Sequence, residues 1–197
     1  MNETSTQPRP TLIVSLLQMD STEQRDENLS HMSELVSSLP PSDLIVLPEV
    51  CAYRGDLARI ADMAEPLNGP IVEHVAGLSR RHAAWVLLGS FPERDGDCVF
   101  NTSVLFNPRG ERVASYRKMH LFGVSLASGT SIDEAQAYAP GDQAVSANIE
   151  GWQAGLSICY DLRFPEYFRA LAQGGLDIAL IPADFTAETG RAHWEPL

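Results

Sequence analysis

The sequence predicts an α/β layered fold, on two observations. Short apolar, β-rich runs alternate with stretches of helical periodicity through the first 89 residues, giving a β-α-β-α-β opening. Of the 197 residues, 44% are apolar, which is enough for one sizeable core without disulfide or metal staples. No linker, repeat or low-complexity tract divides the chain. Residues 11–197 are therefore expected to form one domain behind a disordered polar tail over residues 1–10.

The first strand is predicted over residues 11–18, with Asp20 or Ser21 capping a helix whose Leu29, Met32, Leu35, Val36 and Leu39 share one face. Pro40-Pro41 ends that helix, and residues 43–47 read as a buried strand. A second helix is predicted over 70–81, with Ile71, Val75 and Leu78 inward, followed by a buried strand over 84–89. The pattern then changes. Residues 98–107 and 111–117, joined by Asn107-Pro108-Arg109-Gly110, form an antiparallel hairpin. Residues 121–142 lack periodicity and are expected to be a long functional or mobile loop. Strands at 144–149 and 154–158 turn at Gly151-Trp152, and Pro165 opens a helix with Phe164, Tyr167, Phe168 and Leu171 on its apolar stripe, stopped by Gly174-Gly175. A strand over 176–181 follows. A further helix is expected to begin at Ala192, and the end at Leu197 reads as a truncation.

Composition excludes several classes. A net charge of −12 without a Lys/Arg cluster opposes binding to nucleic acid. Three cysteines, Cys51, Cys98 and Cys159, show no CxxC spacing, so neither a disulfide framework nor a zinc site is signalled, and Cys51 and Cys98 read as structural. There is no signal-peptide core and no membrane-length apolar run, so a cytoplasmic location is expected. GxSxG, GxGxxG, P-loop and HExxH motifs are all missing, so no metal or other cofactor is expected.

The chemistry is concentrated at three strand ends. Cys159 stands where an apolar run meets a Pro-started helix, Glu49 ends Leu44-Ile45-Val46-Leu47-Pro48, and Lys118 follows Val113-Ala114-Ser115-Tyr116-Arg117. Each is ordinary singly: a buried thiol, a loop carboxylate, a surface lysine. Together they supply what acyl transfer by sulfur requires. A carboxylate can take the thiol proton and return it to a leaving amine, and an ammonium can stabilise the tetrahedral oxyanion. The backbone N–H of Tyr160, at the start of the turn, is the second expected oxyanion donor.

Leu47-Pro48-Glu49, Tyr116-Arg117-Lys118-Met119-His120-Leu121-Phe122 and Cys159-Tyr160-Asp161-Leu162-Arg163-Phe164-Pro165-Glu166 together resemble the Glu-Lys-Cys signature of the nitrilase superfamily of carbon-nitrogen hydrolases. The resemblance implies an α-β-β-α sandwich, here without its C-terminal part, a covalent thioester mechanism, a small-molecule amide substrate and assembly into a homodimer or higher homo-oligomer. It also implies a supporting role for Glu134 in placing Lys118 or the hydrolytic water. With Thr189-Gly190-Arg191-Ala192-His193-Trp194-Glu195, the cysteine motif is most similar to the branch of ω-amidases and deaminated glutathione amidases, whose substrates carry a free carboxylate. Hydrolysis of an N-carbamoyl compound is the alternative within the family. A non-catalytic fragment, poorly soluble or dependent on a partner, is the alternative outside it.

Tyr53, Phe122 and Trp194 are expected to line a pocket. Arg163 is expected either to clamp a substrate carboxylate or to bridge Asp161 or Glu166. His120 invites a Cys-His reading, with a structural hydrogen bond as its default role.

Overall fold

The computed structural model describes residues 10–125, 129, 131–194 and 196. The expected tail lies outside these residues apart from Pro10. In chain order the elements are β1 (Val14–Leu16), α1 (Arg25–Ser38), β2 (Leu44–Val46), the single turn α2 (Ile60–Met63), α3 (Pro70–His82), β3 (Trp85–Asp95), β4 (Cys98–Phe106), β5 (Arg112–Arg117), β6 (Gly123–Ser125) and β7 (Ser131–Asp133). They continue as β8 (Ser146–Ile149), β9 (Trp152–Leu156), α4 (Pro165–Gln173), β10 (Ile178–Leu180) and α5 (Ala187–His193).

Two sheets face each other. The larger has the order β1-β2-β3-β4-β5, parallel from β1 to β3 and antiparallel from β3 to β5. The smaller has the order β10-β9-β8. Side chains of successive strand residues point to opposite faces, and here both faces of the larger sheet are buried. Ile45, Val86, Leu88, Val104 and Phe106 meet Leu29, Met32 and Val36 of α1 and Ile71, Val75 and Leu78 of α3. Their neighbours Leu44, Val46, Trp85, Leu87 and Leu105 face Ala154, Leu156 and Ile149 of the smaller sheet, with Tyr167 and Leu171 of α4 in the same cluster. This is the expected α-β-β-α layering. Among the described residues no helix is long and apolar enough to cross a membrane.

Several boundaries differ from the sequence reading for physical reasons. Neither Asp20 nor Ser21 caps α1. The Ser21 hydroxyl donates to the Cys51 carbonyl at 3.1 Å, and Gln24 precedes the helix without a side-chain cap. Buried Asn28 fixes the entry to α1 instead, accepting from the Thr22 N–H at 2.9 Å and donating to the carbonyls of Thr22 and Ala52 at 2.8 and 3.0 Å. The strand expected to end at Gly89 runs on to Asp95, because its pairing with β4 resumes after an irregularity between Leu88 and Phe91. Residues 121–142 are not wholly irregular, since β6 and β7 pair as a two-stranded ribbon. β9 starts at Trp152, so the turn lies at Glu150-Gly151. The last helix begins at Ala187 rather than Ala192, where the Thr186 hydroxyl accepts the Thr189 N–H at 3.1 Å as an N-cap.

Candidate active site

The interruption in β3 makes room for the first functional residue. A Cβ on Gly89 would stand 2.1 Å from the carbonyl oxygens of Leu47 and Pro48, so only glycine lets the chain leaving β2 cross β3 this closely. The crossing is finished by Val50, held at φ 51°, whose N–H donates to the Ser90 hydroxyl at 2.8 Å. Glu49 is thereby turned into the interior. Its Oε1 accepts from Lys118 Nζ at 2.8 Å and Asn101 Nδ2 at 3.1 Å, and its Oε2 accepts from the Asp184 N–H at 2.8 Å.

Lys118 follows β5 directly, and its N–H donates to the Asn101 carbonyl at 2.9 Å, prolonging the ladder by one residue. Its side chain is fully buried between two carboxylates, with Glu134 Oε1 and Oε2 at 3.0 and 2.9 Å from Nζ. Burial alone would favour the neutral amine, but the charges of Glu49, Glu134 and Cys159 outweigh it and hold the ammonium above its ordinary range. Glu134 opens a 3-10 turn after β7 and accepts the Phe122 N–H at 2.8 Å. Burial raises its proton affinity, Lys118 opposes that, and Glu49 adds to it, for a net upward shift.

Cys159 begins a 3-10 turn that runs to Arg163 and passes into α4. Its φ of 48° is unusual for a residue with a side chain, and it places the thiol at a sharp exit from the smaller sheet. The Cys159 N–H is fixed to the Pro182 carbonyl at 2.9 Å, and Tyr160 follows as the second residue of the turn. Burial pushes the Cys159 thiol well above its ordinary value, Glu49 pushes it further, and Lys118 opposes both. A thiol held above its ordinary range needs a proton acceptor before it can attack.

The turn is locked to the lysine segment by Asp161, which is fully buried. Its Oδ2 accepts from the Tyr116 hydroxyl at 2.7 Å and the Ile158 N–H at 2.8 Å. Its Oδ1 accepts the His120 N–H at 3.1 Å and lies 2.7 Å from His120 Nδ1. His120 also stacks on Phe164 with centroids 3.7 Å apart, so it has the structural role.

Glu49, Lys118, Glu134 and Cys159 line one cavity of about 800 Å³, with Tyr53 and Phe122 in its walls. Arg163 and Trp194 are placed elsewhere. Arg163 is exposed and does not line the cavity; its expected partners are already engaged, Asp161 by Tyr116 and His120, and Glu166 by Arg169 at 3.0 Å. Trp194 is 62% exposed and lies over a neighbouring groove of about 510 Å³, its ring 5.8 Å from that of Phe185. Cys51 is an inert core thiol, pushed up to about 12 by burial, whereas Cys98 is exposed at the end of the β3–β4 hairpin. The sequence reading missed Asn101 and the Asp184 N–H, and it gave Asp161 a different partner from the Tyr116, His120 and Ile158 contacts it makes. Asn101 and Asp184 act on Glu49 from 52 and 135 positions away, a distance at which no local pattern signals a contact.

Residues 13–197 match the model of the carbon-nitrogen hydrolase family. The chain is 35% identical over 190 residues to a deaminated glutathione amidase of Yersinia enterocolitica, covering 93% of this chain and 66% of that one. It is 36% identical over 194 residues to a deaminated glutathione amidase of Homo sapiens, covering 94% of this chain and 59% of that one. Among solved structures, a carbon-nitrogen hydrolase superfamily protein of Xanthomonas campestris, described with an arsenic adduct in its active site, superposes with a TM-score of 0.81 at 29% identity. That match covers 94% of this chain and 69% of the other. The chain thus spans about three fifths to two thirds of the length of these two relatives.

Proposed function

The chain belongs to the carbon-nitrogen hydrolase family, and from that membership and the site geometry we propose that it hydrolyses the C–N bond of a small linear amide through a Cys159 thioester. The observation that carries this reading is the buried Lys118 ammonium, held between Glu49 and Glu134 at 2.8 and 2.9 Å in the same cavity as Cys159. A lysine clamped this way stays charged and stationary, which is what a preorganised oxyanion donor requires.

Glu49 takes the thiol proton as sulfur attacks the acyl carbon, and the oxygen that gains charge is met by Lys118 Nζ and the Tyr160 N–H. Collapse of the tetrahedral species breaks the C–N bond, and Glu49 delivers the proton to the leaving nitrogen, which departs as ammonia. A water molecule then gives its proton to Glu49 and its oxygen to the thioester carbon. The C–S bond breaks, Glu49 returns the proton to sulfur, and the carboxylic acid leaves with the thiol restored. Glu134 holds Lys118 in line throughout. The relatives named deaminated glutathione amidase support an amide carrying a free carboxylate as the substrate class.

The test is a panel of ω-amides of dicarboxylates, deaminated glutathione, N-carbamoyl amino acids and aliphatic nitriles, with ammonia release measured and the acylated Cys159 peptide sought by mass spectrometry. Turnover of the carboxylate-bearing amides, lost in Cys159→Ala, is expected. Turnover that survives Cys159→Ala would end the thioester reading, and a preference for carbamoyl compounds would replace the amide with a ureido substrate.

A further inference from the structure

Asn101 occupies the centre of the polar cluster without lining the cavity. It is 1% exposed, in the middle of β4. Its Nδ2 donates to Glu49 Oε1 at 3.1 Å, its backbone carbonyl accepts the Lys118 N–H at 2.9 Å, and its Oδ1 has no hydrogen-bond partner among the described residues. The orientation of an amide follows from its hydrogen-bond network. Here, turning it over would set Oδ1 against the Glu49 carboxylate, acceptor against anion. The amide is therefore fixed with its N–H on Glu49, even though this leaves a buried acceptor unpaired.

That unpaired acceptor is informative. A buried carbonyl without a partner costs stability, and an apolar side chain of similar volume would avoid the cost. Packing alone would favour leucine at this position. What leucine would lack is the one N–H that the amide places on the carboxylate assigned as proton acceptor.

We propose that Asn101 is the positioning residue for Glu49: its amide N–H fixes the rotation of the carboxylate toward Lys118, and its backbone carbonyl ties that rotation to the lysine segment. This inference rests on the amidase reading for its effect on turnover, but not for its effect on the thiol. The Glu49 charge disfavours the Cys159 thiolate. A donor on Glu49 partly neutralises that charge, so removing the donor makes the thiolate harder to form.

Asn101→Leu and Asn101→Asp test the proposal by three measurements: kcat and KM on the amide the wild type turns over best, the pH midpoint of Cys159 alkylation by iodoacetamide, and the thermal midpoint. For Asn101→Leu, kcat is expected to fall by roughly 10- to 100-fold with KM little changed, the scale of a hydrogen bond to a charged group. Its alkylation midpoint should move up by roughly half a unit to one unit, while the thermal midpoint holds. Asn101→Asp, whose carboxyl shares a proton with Glu49 and so again supplies a donor, should hold the alkylation midpoint closer to the wild type than the leucine variant does. If the leucine variant does not fold, Asn101→Ser replaces it with the same expected direction. An alkylation midpoint unmoved in Asn101→Leu overturns the proposal, whether or not turnover falls, because a purely structural role would lower activity and thermal midpoint together and leave the thiol alone. If the wild type turns over no amide, the amidase reading fails and the alkylation midpoint still decides the role of Asn101.

Discussion

Glu49 and Glu134 grip the same ammonium at 2.8 and 2.9 Å, yet they are held by very different parts of the molecule. Glu49 is placed by a crossing of the central sheet, and its partners Asn101, Lys118 and Asp184 are 52, 69 and 135 positions away in the chain. Glu134 stands in a turn beside the β6–β7 ribbon, its partners Phe122 and Lys118 only 12 and 16 positions away. The side chain of Glu49 is 4% exposed and that of Glu134 is 13% exposed. A carboxylate fixed by distant core segments cannot shift unless the core shifts. One fixed by a local turn can be altered while the core stays in place. This contrast suits a proton-transfer group on the first and a supporting group on the second.

The largest expected effect comes from breaking the crossing that places Glu49. Gly89→Ala puts a Cβ into two backbone carbonyls at 2.1 Å, which cannot be relieved by a side-chain rotation. A loss of about 3 kcal/mol or more is expected by urea denaturation, overpacking of this kind lying at the upper end of its usual range. A variant as stable as the wild type would mean that the crossing is not what holds Glu49.

Exchanging each carboxylate for its amide sharpens the comparison. Glu49→Gln should lower kcat/KM by about 10²- to 10⁴-fold, the range for removing a general base. Glu134→Gln should lower it by only about tenfold, the scale of one charge-assisted hydrogen bond. Their stabilities should differ as well. Glu134 has its folded proton affinity raised by burial, against Lys118 and with Glu49, so its contribution to stability is fully present below the unfolded value of 4.5 and lost as pH rises through the folded one. Glu134→Gln cannot ionise, so its thermal midpoint should fall less than that of the wild type as pH rises through that range. Equal losses of activity in the two variants would erase the distinction between them.

The smallest effect is a drift of stability in alkali. Cys159 is raised by burial and by Glu49; Lys118 is raised because its anionic neighbours outweigh burial. For both groups the contribution is fully present below the unfolded values, 9.0 for the thiol and 10.5 for the amine, and is lost as pH rises above them. The thermal midpoint should therefore decline above about pH 9, and less steeply in Cys159→Ser. A flat profile to pH 11 would contradict the upward shifts.

The layered α/β fold was legible in the sequence because each large element carries its own periodicity. The i, i+3, i+7 spacing of Leu29, Met32 and Val36 and the continuous apolar run Leu44-Ile45-Val46-Leu47, whose residues turn alternately to the two cores, follow from local geometry alone. Glu49, Lys118 and Cys159 were legible for a related reason: a chargeable or nucleophilic residue ending an apolar run stands out against its neighbours. The true N-terminus of α1 was not legible, because Asn28 anchors it through the carbonyl of Ala52, 24 positions away. Nor was the β6–β7 ribbon, whose two three-residue strands are too short to show a period.

By itself, then, the sequence determined the layers, the order of the strands' apolar faces and the three residues whose chemistry converges, since these depend on side-chain type and on the period of the local backbone. Only the tertiary structure decided that Lys118 lies between two carboxylates, that Asn101 and the Asp184 N–H hold Glu49, that Asp161 joins the lysine and cysteine segments, and that Arg163 faces away from the cavity. Those facts are set by which distant segments cross at the sheet ends, and a contact across dozens of residues leaves no periodic trace in the chain.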